Sequence, residues 1–464
     1  MTTPETTGTG TTGTDTTGTV ALLERLVTVD STNPGGDESG AADVLAEVLR
    51  SVGASVAIEE YAPGHVNLVA EVRFGDGPRV MFNSHLDVVP AGSGWSSDPF
   101  MPVVRDGRLY GRGAADAKGS LAAMAGAFVD IVRSGSATRG TLVFTAVGDE
   151  EVGSTGARAL VETLRADACI VGEPTGLRLL AAHKGSLRPV IEVIGRGAHA
   201  AAPHNGVNAI TGTAALLRAL DAHAGELAER DASAHRSPHP DPRARRGRSG
   251  TRNAVPEKCT LTIDRRMIPG ETADGVRAEI DGLLAEFNAE NAPVSARIAA
   301  LAPSTGGPSE TPVDDPFVVA CRAALRTVGE SDEVGGLVVN CDMTTFRGAG
   351  IPTIVFGPGE LEVMHAADEF VPLDQLERAP RRVPRDGRTR VRGARVTVRV
   401  AIGQAAFDTD VAANVATAVR LRAAASAGRG GPARAVGAVP ARIPDGGDVG
   451  RAGRRPSTIR GSRP

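Results

Sequence analysis

RVMFNSHLDVVP (residues 79–90), GTLVFTAVGDEE (140–151) and ACIVGEPT (168–175) are built alike: a run of apolar and small residues that stops at a histidine or at carboxylates. Apolar runs this short, with no polar alternation, read as strands buried on both faces. Helical patterns lie around them, at 20–27, 38–52, 120–134 and 156–165. The 38–52 segment follows a turn, STNPGGDES, and sets Ala42, Val44, Leu45, Val48 and Leu49 largely on one side. Strands alternating with helices predict an α/β fold, its sheet covered on both faces. Ligands in such sheets gather at the carboxyl ends of strands, where the polar residues of all three runs fall.

A second unit interrupts this pattern from 184 to 297. RPVIEVIGRGAHAAAP reads as a strand entering a loop, NAITGTAALLRALDAH as a helix and CTLTIDRRMI as a strand, and the segment 272–288 adds another helix. The first unit, 20–183, then resumes over 298–380, with sheet-like stretches at 337–339 and in IPTIVFGPG. Residues 1–19 are Thr- and Gly-rich with no apolar period, which predicts a disordered tract.

Composition bounds the function. Of 464 residues, 41% are hydrophobic and only 3% aromatic, so the core must rest on Val, Leu, Ile and Ala. From Ala379 onward stand 18 Arg, no Lys, 5 Asp and no Glu, a net charge of +13, against −17 for the rest. An acidic body repels nucleic acid. Cys169, Cys259, Cys321 and Cys341 are too scattered for a thiolate metal site or a disulfide scaffold, which predicts reduced, buried thiols in a cytoplasmic protein. No stretch is long and apolar enough to span a membrane.

Taken singly, the polar residues at the strand ends are ordinary. His85 and Asp87 form an H-x-D, in which a carboxylate can hold an imidazole in one tautomer, yet a strand-end histidine is more often merely hydrogen-bonded. Asp116, in GRGAADAKG, could cap the helix that follows. Glu150 and Glu151 repel one another unless a cation or proton intervenes. Glu173 in GEPT ends the next strand, and His365 lies in MHAADEFVP beyond a Gly-rich loop. Together, two histidines and several acids at successive strand ends suit a divalent cation. Two such ions about 3.5–4 Å apart polarise a carbonyl and activate water, and a spare glutamate can carry the proton to the leaving nitrogen.

These five motifs, in this order over residues 20–378, resemble the two-metal exopeptidase and deacylase family of acetylornithine deacetylase, succinyl-diaminopimelate desuccinylase, aminoacylase and the glutamate-releasing carboxypeptidase. The resemblance implies a zinc-exopeptidase-like catalytic domain with a mixed sheet between helices, and an inserted α+β, ferredoxin-like lid domain. It implies that His85 and Glu173 bind one ion, Glu151 and His365 the other, and Asp116 both. Asp87 would orient His85, Glu150 would serve as general base and acid, and the 116–117 bond would be cis. The expected ions are zinc, with cobalt or manganese able to substitute. In the lid, GRGAHAAAPHNGVNAI makes His199 an oxyanion donor, often supplied to a neighbouring subunit. Asn253 in RNAVP and Arg266 in DRRMIPGE would contact a substrate carboxylate. Glu173, rather than Asp, points within the family to deacylases and carboxypeptidases, hence to N-acyl amino acids. A carboxypeptidase or dipeptidase, or an inactive binding relative, are the alternatives.

Two stretches depart from the family pattern. HRSPHPDPRARRGRSG (235–250) stands where a lid strand is expected, and its Pro and Arg content excludes a central strand. After residue 378 an Arg/Gly/Pro/Ala-rich tail replaces the expected last helix. An abrupt change of this composition, without Lys or interleaved aromatics, fits a shifted reading frame better than a nucleic-acid-binding appendage. A homodimer through the lid is expected if that unit is intact.

Overall fold

A computed structural model describes residues 18–135, 137–230, 240–243, 253–304 and 306–376. The tail from 381, most of the Thr/Gly tract and most of 235–250 lie outside the described residues, and with them the reading-frame question.

The three opening runs form the strands Arg79–His85, Thr141–Val147 and Ala168–Val171, fully buried but for Arg79 and Thr141. With Thr353–Val355 they are four adjacent parallel strands, ordered Thr141–Val147, Arg79–His85, Ala168–Val171, Thr353–Val355. Antiparallel neighbours extend the sheet on both sides. A hairpin, Ser55–Ala62 with His65–Arg73, completes one edge, and Leu179–His183, Ser309–Glu310 and Val334–Leu337, the last parallel to Leu179–His183, complete the other. The mixed sheet expected from the resemblance is therefore present.

Helices cover both faces. Thr19–Val27 buries Leu22, Leu23, Leu26 and Val27, and Ser39–Arg50 buries Ala41, Ala42, Leu45, Ala46 and Leu49, the spacing of single helical faces. Both pack with the helix Lys118–Ser134 into one core on the sheet. Thr155–Thr163 and Met343–Gly348 contribute to the core on the other. All four cysteines are buried and free. Among the described residues no helix is long and apolar enough to cross a membrane.

A second, four-stranded sheet has its own core and the order Pro240–Arg243, Lys258–Met267, Gly185–Ile194, Ser295–Ala302. The helices Ala209–Arg230 and Ala273–Glu290 pack on it. Its last strand runs to Ala302, beyond the expected limit of 297. At 235–250, where the sequence excludes a central strand, the described residues form an edge strand. Pro240–Arg243 does pair with Lys258–Met267, at the sheet edge. An edge strand needs ladder partners on one side only, so two prolines are tolerated there.

Candidate metal centre

Because the central strands are parallel and adjacent, their carboxyl ends open on one side of the sheet. His85 ends one strand, Glu150 and Glu151 follow the next, and Glu173 follows a third. Asp116 immediately precedes the helix Lys118–Ser134 across an Asp116–Ala117 peptide that is cis, as expected. His365, in the loop after the fourth strand, closes the group at φ 59°, in the left-handed region that a residue with a side chain seldom occupies.

Two ligand clusters result, His85 with Asp116 and Glu173, and Asp116 with Glu151 and His365, the ligand atoms of each within 4.8 Å of one another. Asp116 turns a different oxygen to each. Oδ1 lies 3.2 Å from His85 Nε2, and Oδ2 lies 3.0 Å from His365 Nε2. His365 Nε2 is also 3.1 Å from Glu151 Oε2, and His85 Nε2 is 4.0 Å from Glu173 Oε1. Ligands about 2.0–2.2 Å from a zinc ion stand roughly 3–3.5 Å apart, so the set fits a cation pair. A buried Glu151 Oε1 with no hydrogen-bond partner among the described residues supports the fit, since such atoms ordinarily find one.

The electrostatics agree. Burial, reinforced by neighbouring carboxylates, pushes the Glu150 and Glu173 carboxyls well above the usual carboxylate range. Burial and the Asp116 charge raise Glu151 to about 7. Burial opposes ionisation of Asp116 too, but His365 and His85 outweigh it and hold the carboxyl low. Asp116 and Glu151 push His365 up to about 10. Acids crowded so closely call for positive charge at their centre.

One expected contact takes a different form. His85 Nδ1 lies 2.9 Å from the main-chain carbonyl of Asp87 and 3.4 Å from its carboxylate. The carbonyl is thus the nearer partner fixing the tautomer that leaves Nε2 free for a cation. Besides this contact with His85, the Asp87 carboxylate accepts the N–H groups of Glu150 and Glu151, each at 3.1 Å, and Asn33 Nδ2 at 2.9 Å. It lies beneath a loop whose buried N–H groups need an acceptor.

Asn33 and Glu38 are participants that the sequence reading missed. Asn33 Nδ2 also donates to Asp149 at 2.9 Å, and buried Glu38 accepts the Asp149 N–H at 3.0 Å. Gly148 permits this approach, since a Cβ there would lie 1.9 Å from Glu38 Oε2. The position of Asn33 and Glu38 in STNPGGDES is their only trace in the sequence, and it reads there as a turn.

A cavity of about 500 Å³ opens above the clusters, walled by Asp116, Glu150, Glu151, Glu173 and His365 on one side and by the second sheet on the other. Arg188, Asp264 and Arg266 face it from that sheet. Asp264 Oδ2 is 3.2 Å from Arg188 Nε, and Oδ1 is 3.3 Å from Arg266 Nε. His199 and Asn253 are exposed neighbours, with the Ala200 N–H donating to the Asn253 carbonyl at 2.8 Å. Neither is among the described lining residues of the cavity, so Arg266 alone of the three expected lid contacts faces the centre.

The family model of peptidase family M20/M25/M40 matches residues 81–383. The chain belongs to this family. Among M20 relatives, acetylornithine deacetylase of Proteus mirabilis (strain HI4320) is 33% identical over 380 residues, 77% of this chain and 93% of the relative. The enzyme of the same name from Vibrio campbellii is 31% identical over 361 residues, 75% and 92% of the two chains. A tripeptidase from Staphylococcus aureus superposes with a TM-score of 0.64 at 19% identity, covering 84% of this chain and 96% of the other. A dinuclear metal-binding M20 peptidase of Bacillus subtilis does so with a TM-score of 0.57 at 14% identity, covering 84% and 97%. This M20 chain is thus a hydrolase of a metallopeptidase and amidohydrolase family.

Proposed function

We propose that the chain hydrolyses the amide bond of N-acyl amino acids at a pair of divalent cations, zinc first and cobalt or manganese as substitutes. One observation carries the reading: Asp116 presents one oxygen to each His–carboxylate cluster, while Glu150 lines the same cavity outside both. His85 and Glu173 would hold one ion, Glu151 and His365 the other, and Asp116 both. Bound there, the ions would polarise the scissile carbonyl and lower the pKa of water.

The remaining chemistry belongs to the side chains. Glu150 takes the proton of the attacking water on a carboxylate oxygen and delivers it to the leaving nitrogen. Burial supports this, because it moves the Glu150 carboxyl up toward the range of a working base. Asp87 holds the N–H groups of Glu150 and Glu151 and so positions that base. Arg266, with Arg188 beside it, offers a guanidinium to the substrate carboxylate. His199 Nδ1 accepts the Ala201 N–H at 3.1 Å, which leaves the proton on Nε2 as a donor for the developing oxyanion. Being exposed and away from the described lining, His199 and Asn253 would serve a partner copy's site, with the second sheet as lid and dimer contact.

Glu173 and the acetylornithine deacetylase relatives favour deacylation. A carboxypeptidase or dipeptidase is the second reading, since the same arginines suit a peptide's terminal carboxylate. Metal analysis with a panel of N-acetyl and N-succinyl amino acids and unblocked dipeptides decides between them. Much faster cleavage of unblocked dipeptides would overturn deacylation, and fewer than two bound ions would overturn the paired site.

A further inference from the structure

Glu369 lies four residues after His365 in HAADEF and is wholly buried. Its carboxylate takes four hydrogen bonds, all from the loop that carries Asp116. Oε2 accepts Arg112 Nη1 at 2.5 Å and the Gly113 N–H at 3.1 Å. Oε1 accepts the Ala115 N–H at 2.8 Å and the Asp116 N–H at 2.9 Å. The Glu369 carbonyl also accepts the Gly111 N–H at 3.0 Å. Arg112, itself buried, reaches on to the Ala91 carbonyl at 3.2 Å and lies over the Trp95 ring, 5.1 Å from its centroid.

We infer that Glu369 is a positioning residue of the metal centre: by gripping the Asp116 main chain from the His365 loop, it sets where the bridging carboxylate stands between the two clusters. The inference rests on the paired-cation reading above. A buried carboxylate is costly unless its lone pairs are filled, and here two donors fill each oxygen. The donor nearest the chemistry is the N–H of Asp116 itself, so the side chain that faces both histidines leaves a backbone whose place Glu369 determines. Because the acceptor belongs to the segment that carries His365, the two loops cannot separate without breaking these bonds.

Glu369→Gln tests this with little change of shape. An amide keeps one accepting oxygen, and the Arg112 charge will hold it on the Oε2 side. The Ala115 and Asp116 N–H groups then face an NH2 group and lose their acceptor. Calorimetric titration of metal-free protein with zinc should show both ions bound about 10- to 100-fold more weakly. The cobalt-loaded protein should show an altered visible spectrum. Arg112→Met breaks the ion pair but leaves the Oε1 bonds. It should lower the melting temperature of metal-free protein while costing zinc affinity less than the roughly tenfold or greater loss of Glu369→Gln.

Wild-type affinity and cobalt spectrum in Glu369→Gln, whatever its melting temperature, would reduce Glu369 to a structural acid. Should that variant not fold, Glu369→Asp, which keeps the charge at shorter reach, must bind zinc more weakly, and unchanged affinity there overturns the inference. Failure of the wild type to bind two ions sinks the paired-cation reading and this inference with it. Two ions bound equally well by wild type and variant sink this inference alone.

Discussion

Replacing Glu150 by Gln separates chemistry from structure. The residue is 7% exposed, and among the described residues the hydrogen bond of Glu150 runs through its main-chain N–H to Asp87. A neutral, isosteric amide therefore orphans no described donor and relieves the burial that pushes the carboxyl up. Stability should be unchanged or slightly raised. Glu150 lies in neither ligand cluster, so two metal ions should still bind. The lost proton transfer should lower kcat/KM by about 10²- to 10⁴-fold, or about 3–5 kcal/mol of transition-state stabilisation. Because only ionised Glu150 accepts a proton, wild-type activity should rise with pH through its raised pKa, and the variant should lose that limb. The assay pairs metal content and melting temperature with pH-resolved kcat/KM on N-acyl amino acids. Activity within tenfold of wild type, with two ions bound, would refute Glu150 as the base.

His365→Ala should lower metal content from two ions to one, whereas Asp116→Ala should lose both, because Asp116 alone touches both clusters; equal stoichiometries from the two variants would contradict the bridge. Arg266→Met should raise KM for carboxylate-bearing substrates about 10- to 100-fold with a smaller change in kcat, as for a lost charged hydrogen bond, and an unchanged KM would remove Arg266 from the pocket. Burial lowers His183 to about 4, so the folded state takes up fewer protons than the unfolded chain as pH falls from about 6.5 to 4. Stability should therefore drop across that window, by up to about 3 kcal/mol from this group. Urea unfolding of His183→Gln at pH 7 and pH 5 should show a flatter loss, and an unaltered slope would exclude His183 as a source of acid sensitivity.

What the sequence by itself determined is local. Short apolar runs ending in His85, Glu150–Glu151 and Glu173 announce buried strands and put ligands at their ends, because burial on both faces and strand termination are properties of a few consecutive residues. The same holds for the helical faces of Leu22–Leu26 and Leu45–Leu49. Tertiary structure decided everything that depends on which ends meet. The parallel order of four strands makes one site of five motifs, and it gives each Asp116 oxygen to a different histidine. Glu369 meets the Asp116 N–H across 253 positions, and Asn33 meets Asp149 across 116. The Asp87 carboxylate, beside His85, also meets main-chain N–H groups 63 and 64 positions away. A carboxylate or amide side chain shows in sequence that it can make a hydrogen bond. Its partner is chosen by packing, because a buried donor is satisfied by whichever acceptor the fold brings within reach.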